Sequence, residues 1–128
     1  MNTDKQLKLL YTQMFGSSIF IITIIVSIIL TYNTVLSIEG KNPLFRTKEE
    51  NKITLTNRVA ITAIVILFAY ISYEFYKSNI GTKNEDISTG EFTASIFSLV
   101  SGLILTYTTI QNVNRKNGTN TDVNIPIF

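Results

Sequence analysis

Residues 15–36 read FGSSIFIITIIVSIILTYNTVL, and no charged side chain occurs anywhere between Lys8 and Glu39. A helix needs about 20 mainly apolar residues, at 1.5 Å each, to cross roughly 30 Å of hydrocarbon. This run meets that requirement. Ile, Val and Thr also favour strands, but a buried strand rarely exceeds about eight residues before a turn signal intervenes. The run is also longer than the roughly 7–15-residue apolar core of a secretory signal, and no small-residue cleavage site follows it.

Two further runs lie downstream. Residues 59–76, VAITAIVILFAYISYEFY, stand between Arg58 and Lys77 and contain a single acid, Glu74. Residues 92–110, FTASIFSLVSGLILTYTTI, stand between Glu91 and Arg115 and are richer in Ser and Thr. Three such runs in 128 residues leave too little polar sequence to enclose a soluble core. The chain is 16% charged, against about 25% in soluble domains. The expected fold is therefore all-α, an integral membrane protein with three transmembrane helices in a small bundle. Its segments are an amphipathic N-terminal stretch (1–14), the first span (15–36), a polar loop (37–58), the second span (59–76), a second polar loop (77–91), the third span (92–110) and a flexible tail (111–128).

The segment boundaries carry their own signals. Thr3-x-x-Gln6 has the capping-box pattern, and Leu7, Leu10, Tyr11 and Met14 follow at helical spacing opposite Lys5 and Lys8. This predicts a short amphipathic helix at the membrane surface. Equally open is a first span that simply continues into water, and Gly16-Ser17-Ser18 would permit a bend between the two. Gly40 suits a helix C-terminus, and Asn42-Pro43 cannot continue the helix. Thr56-Asn57 can cap the second span, and Ser88-x-x-Glu91 repeats the capping-box pattern before the third.

Basic residues orient the spans. Lys5, Lys8, Lys77 and Lys83 fall on one side; Lys41, Arg46, Lys48, Lys52, Arg58, Arg115 and Lys116 fall on the other. Loops rich in Lys and Arg stay in the cytoplasm. The expected layout is multi-pass, with the N-terminus outside and the first loop and C-terminal tail in the cytoplasm.

Helices associate in lipid through small residues and interhelical hydrogen bonds. Ala94, Ser98, Gly102 and Thr106 form a four-residue-spaced stripe in the third span, and Thr23, Ser27 and Thr31 form one in the first. These are the predicted helix-packing residues, with the first and third helices meeting along them or one stripe facing another subunit. Asn33 adds a strong hydrogen-bonding group. Glu74 sits near the end of its span among Tyr70, Tyr73, Tyr76 and Lys77, where Tyr belongs at headgroup level and Lys77 can pair with the acid. The set reads as an interfacial anchor.

No reactive constellation is present. Cys and His are both absent, which removes thiolate and imidazole chemistry and the usual zinc ligands. Glu49-Glu50 and Glu85-Asp86 are acid pairs in polar loops, read as solvated charges. Net charge is +2, too small to attract nucleic acid. No catalytic residue, metal, cofactor or small-molecule substrate is expected. The tail carries an Asn117-Gly118-Thr119 sequon and ends in the apolar Ile125-Pro126-Ile127-Phe128.

The function expected is that of a non-enzymatic structural or accessory subunit of a membrane assembly, cellular or viral, whose partners are the bilayer and other membrane subunits or itself. The alternative is a self-oligomerising, membrane-permeabilising protein. Three spans with an external N-terminus resemble the layout of one class of phage holins, although this tail is not strongly basic and the first loop is longer than a minimal holin needs. A small ion-channel subunit is a further alternative.

Overall fold

Long apolar runs flanked by polar residues favour helices whose backbone groups bond internally. The computed structural model describes residues 1–119, and their side chains as far as 115. Every element in it is a helix: α1 (Thr3–Ile38), α2 (Thr47–Asn79) and α3 (Glu85–Thr119). All three contain a stretch long and apolar enough to cross a membrane. Each helix has at least 33 residues, hence a length near 50 Å at 1.5 Å per residue. The spans read from sequence are thus the apolar middles of longer rods.

Several boundaries move accordingly. Residues 3–14 are the opening turns of α1, which runs unbroken through Gly16-Ser17-Ser18; a separate amphipathic helix is not formed. Asn2, rather than Thr3, caps α1, its side chain accepting the Lys5 amide at 2.7 Å. Residues 47–58 belong to α2, so Thr56-Asn57 lies inside the helix instead of capping it. Ser88-x-x-Glu91 likewise lies inside α3. Residues 111–119 continue α3 where a flexible tail was expected, while the rest of that tail, with its apolar end Ile125–Phe128, falls outside the described residues.

Gly40 does end α1 as its position suggested. It takes φ +74°, a conformation that costs a residue with a Cβ. Its amide donates to Ser37 O and that of Lys41 to Leu36 O, at 3.2 and 2.9 Å. Two orphan carbonyls of the helix are thereby satisfied. Gly81 (φ +79°) makes the second turn, and its amide donates to Glu85 Oε2 at 3.2 Å.

α2 is the shared partner of the bundle: α1 and α3 each pack on it. The expected meeting of α1 with α3 does not occur among the described residues. Short connections make sequence neighbours into antiparallel spatial neighbours, and each outer helix is used up on α2.

The seams follow a period of three and four, not four. The buried residues Leu9, Gly16, Thr23 and Leu30 recur every seven positions along α1. On α3, Phe92, Ser95, Leu99, Gly102, Thr106 and Val113 are covered, whereas Ala94 and Ser98 are exposed. A seam with a 3.5-residue period stays against its partner, but a four-residue stripe winds away from it. The α1 stripe therefore starts in a seam and leaves it, and the α3 stripe starts outside and enters one. Thr31 is exposed, and a Cβ at Gly102 would meet no atom within 4 Å.

The close approach is at Gly16. A Cβ there would lie 2.9 Å from Phe68 Cε1 and 3.3 Å from Leu67 Cδ2. Replacing Gly16 by Leu is expected to force α1 off α2, an overpacking cost of about 1–3 kcal/mol, and to lower the melting temperature in detergent. Gly102→Ala has room for its methyl group and, gaining helix propensity, is expected to melt at or above the wild-type temperature. Circular dichroism melts of the two variants check this; equal destabilisation by both would contradict the seam assignment.

Candidate functional site

A polar group placed on an apolar helix must find a partner inside the bundle. Following those partners gives the relative height of α1 and α2. At one end Lys5 Nζ meets Glu74 Oε2 at 2.6 Å. In the middle Asn57 Nδ2 donates to Thr23 O and Ser27 Oγ at 3.2 and 3.1 Å. Toward the other end Asn33 Nδ2 donates to Glu50 Oε2 at 2.9 Å, and Asn33 Oδ1 accepts the Phe45 amide at 3.0 Å. Asn33 has no exposed surface at all.

This register staggers the apolar runs. The centre of residues 15–36, near Val26, lies level with Asn57, about ten residues before the centre of 59–76; at 1.5 Å per residue the offset is about 15 Å. α3 is in step with α2. Thr106 Oγ1 meets Thr62 Oγ1 at 2.6 Å, Ser95 Oγ donates to Ser72 Oγ at 2.8 Å, and Asn79 Nδ2 donates to Ser88 Oγ at 2.6 Å. The apolar run of α1 thus overshoots those of α2 and α3 at the end bearing the α1–α2 connection. There it runs beside the polar first half of α2, in which Asn51, Thr54, Asn57 and Arg58 are buried.

The stagger shapes a groove of about 710 Å³ walled by all three helices. Phe20, Ile24 and Ile28 of α1 face Ile61 of α2 and Leu105 of α3 across it. Arg58 is the one charged residue among the described lining, and its side chain stands where the apolar run of α2 begins. Further along α1 the wall continues through Tyr32 and Val35.

The opposite end of the bundle holds the cluster anticipated around Glu74. Glu74 is buried and accepts from two lysines, Lys5 and Lys77, the latter at 3.2 Å from Oε1. Lys77 Nζ lies 4.7 Å from the Tyr73 ring centroid. Tyr73 and Tyr76 pack on Phe92 of α3, at 5.5 and 5.3 Å between centroids. Tyr70 points outward. Glu74 is thus a clasp joining the start of α1 to the end of α2. Lys5 was not foreseen, because its pairing depends on the stagger.

The predicted packing residues divide. Thr23, Ser27 and Thr106 make interhelical contacts through their backbone or hydroxyl oxygens, whereas Thr31, Ala94 and Ser98 face outward. The acid pairs are not loop charges: Glu49 and Glu50 open α2 and Glu85 and Asp86 open α3, where negative charge suits the helix dipole. No group of three Asp or Glu side chains lies close enough to hold a metal among the described residues.

If Glu74 clasps α1 to α2, Glu74→Gln should lower thermal stability in detergent, and Lys5→Gln should lower it by a similar amount. The double variant should lose little more than either alone, because partners in one interaction are not additive. Melts of the wild type, both single variants and the double close this cycle; full additivity would show that the pair does not act as one. The chain matches no protein-family model, no curated protein and no solved structure.

Proposed function

We propose that this chain is a non-enzymatic, multi-pass membrane protein that serves as a structural or accessory subunit of a membrane assembly. The observation that carries the reading is how little of the apolar surface of the two outer helices is buried within the chain. Only 6% of the most apolar stretch of α3 is buried within the chain, and 17% of that of α1. Ile21 and Ile25 on α1, and Phe97, Leu103 and Ile104 on α3, face outward. A surface of this kind is stable against lipid tails or other apolar helices and unstable in water. The lysine and arginine distribution favours an external N-terminus, with the α1–α2 connection and the C-terminal tail in the cytoplasm.

A permeabilising oligomer is the second reading. Its support is the row Ala94, Ser98 and Ser101, small and polar residues on the outward side of α3, which suits close helix contact between copies.

Expressed alone in a bacterium, the protein should remain in the membrane fraction after alkaline extraction and leave the membrane potential unchanged. Since the chain has no cysteine, single-cysteine variants report topology cleanly. A thiol at Asn2 should react with an impermeant maleimide on intact cells, and one at Lys41 only after lysis. Recovery in the soluble fraction would remove the membrane reading. Abrupt depolarisation at a threshold level of expression would favour the permeabilising oligomer instead.

A further inference from the structure

The register that staggers the helices also gathers their exposed charges into two planes. Lys8 stands near the start of α1. The Lys5–Glu74 pair and the approach of Gly16 to Phe68 bring Lys8 level with Glu74 on α2. Through the bonds of Ser95 to Ser72 and Asn79 to Ser88, Glu91 of α3 falls within a turn of the same height. At the other end, the Asn57–Thr23 and Asn33–Glu50 bonds bring Lys52 level with Leu30. Thr106 meets Thr62, so Arg115, nine residues further along α3, comes beside Lys52 and Ile53. Lys8, Glu91, Lys52 and Arg115 are all exposed.

Lys52 and Glu74 are 22 positions apart on α2, hence about 33 Å at 1.5 Å per residue. Between the planes, residues 9–29 of α1 and 92–114 of α3 carry no charge, and α2 carries only Arg58, which is buried. The band so defined matches the roughly 30 Å of hydrocarbon in a bilayer. It is displaced from the one that hydropathy assigns to α1. The run 15–36 centres near Val26, whereas the midpoint between Lys8 and Leu30 is Ile19.

The displacement takes residues 9–14 into the band, where their polar groups have places to go. Thr12 Oγ1 donates to Lys8 O at 2.8 Å, and Gln13 lines a cavity of about 370 Å³ with Ser72 and Ser95. It also leaves the last turns of α1 beyond the band. Tyr32, Val35 and Ile38 stand exposed there, with Leu44 of the connection, near Lys48 and Lys52. Tyrosine and lysine beside limited apolar surface suit the headgroup region.

We propose that the hydrocarbon of the bilayer covers residues 9–29 of α1 and ends at Leu30, Lys52 and Arg115, so that Tyr32, Val35, Ile38 and Leu44 form a collar seated among the headgroups of that leaflet. Centring the bilayer on Val26 instead would draw Lys48, Glu49, Lys52 and Arg115 into the hydrocarbon, where a charge facing lipid is costly. Arg58 lies inside the band on this placement, but within the bundle and not against lipid. The inference rests on the membrane reading and adds the depth at which the bundle sits.

Three exposed apolar positions of α1 test it, as Phe15→Cys, Ile22→Cys and Ile28→Cys in a chain with no other cysteine. Each variant is labelled with bimane and reconstituted into phosphatidylcholine vesicles containing phosphatidylcholine brominated near its chain ends. Protein that does not float with the vesicles would remove the membrane reading itself. On the proposed placement Phe15 and Ile22 lie about 6 Å and 5 Å from the midplane, and Ile28 about 14 Å. Quenching at Phe15 should therefore match that at Ile22 and exceed that at Ile28. A bilayer centred on Val26 gives the reverse order for Phe15 and Ile28. A fourth label, at Val35→Cys, should be quenched by phosphatidylcholine bearing a nitroxide on its headgroup and little by the brominated lipid. Should Phe15→Cys fail to fold, Met14→Cys, equally exposed, carries the same comparison. Quenching at Ile28 equal to or stronger than at Phe15 would overturn the proposal, as would a Val35 label that answers chiefly to the brominated lipid.

Discussion

The register between α1 and α2 governs the rest of this molecule, and hydrogen bonds set it. Apolar side chains slide past one another with little change in energy, particularly where lipid is as apolar as the partner helix. Polar groups do not, because each unpaired one costs on the order of 1–3 kcal/mol inside a bundle. Glu74 with Lys5, Asn57 with Thr23 and Ser27, and Glu50 with Asn33 fix the two helices at three heights. Gly16 against Phe68 then lets the backbones close between them. A shift by one helical turn would break all three sets at once.

From that register the remaining architecture follows. With α1 displaced by about 15 Å along the axis, its apolar side chains pass beyond the ends of α2 and α3. The polar half of α2 is then drawn against the middle of α1, and the Asn57 amide finds an acceptor on the α1 backbone. α3, joined by a short turn, packs on α2 in step with it through Thr106, Ser95 and Ser88. The groove and its arginine exist because one outer helix is staggered and the other is not.

Both ends of the bundle hold polar clasps, but their chemistry differs. At the Glu74 end a carboxylate lies between two ammonium groups and a tyrosine face, a charged arrangement that tolerates water. At the Asn33 end a fully buried amide uses its donor on Glu50 and its acceptor on the Phe45 amide. That single side chain joins α1, the connection and α2, so the hairpin between them is closed by a neutral group whose bonds are directional.

The existence, number and approximate centres of the three apolar helices were legible in the sequence, because the length of an uncharged run is set by local composition. Gly40 was legible for the same reason: a helix end needing positive φ is a local requirement. Glu74 with Lys77 was legible as an i, i+3 neighbour. The packing faces were not. Small residues spaced by four looked like seams, but two long helices in contact keep a 3.5-residue period, so Thr31, Ala94 and Ser98 wind out of the interface. The helix starts at Thr47 and Glu85 were also hidden, since flanking polar residues read as loop until a neighbour supplies contacts. Pairings such as Lys5 with Glu74, and the order that puts α2 in the middle, depend on residues far apart in the chain. No local periodicity encodes the height at which two rods meet; only the simultaneous satisfaction of buried amides, hydroxyls and carboxylates in three dimensions decides it.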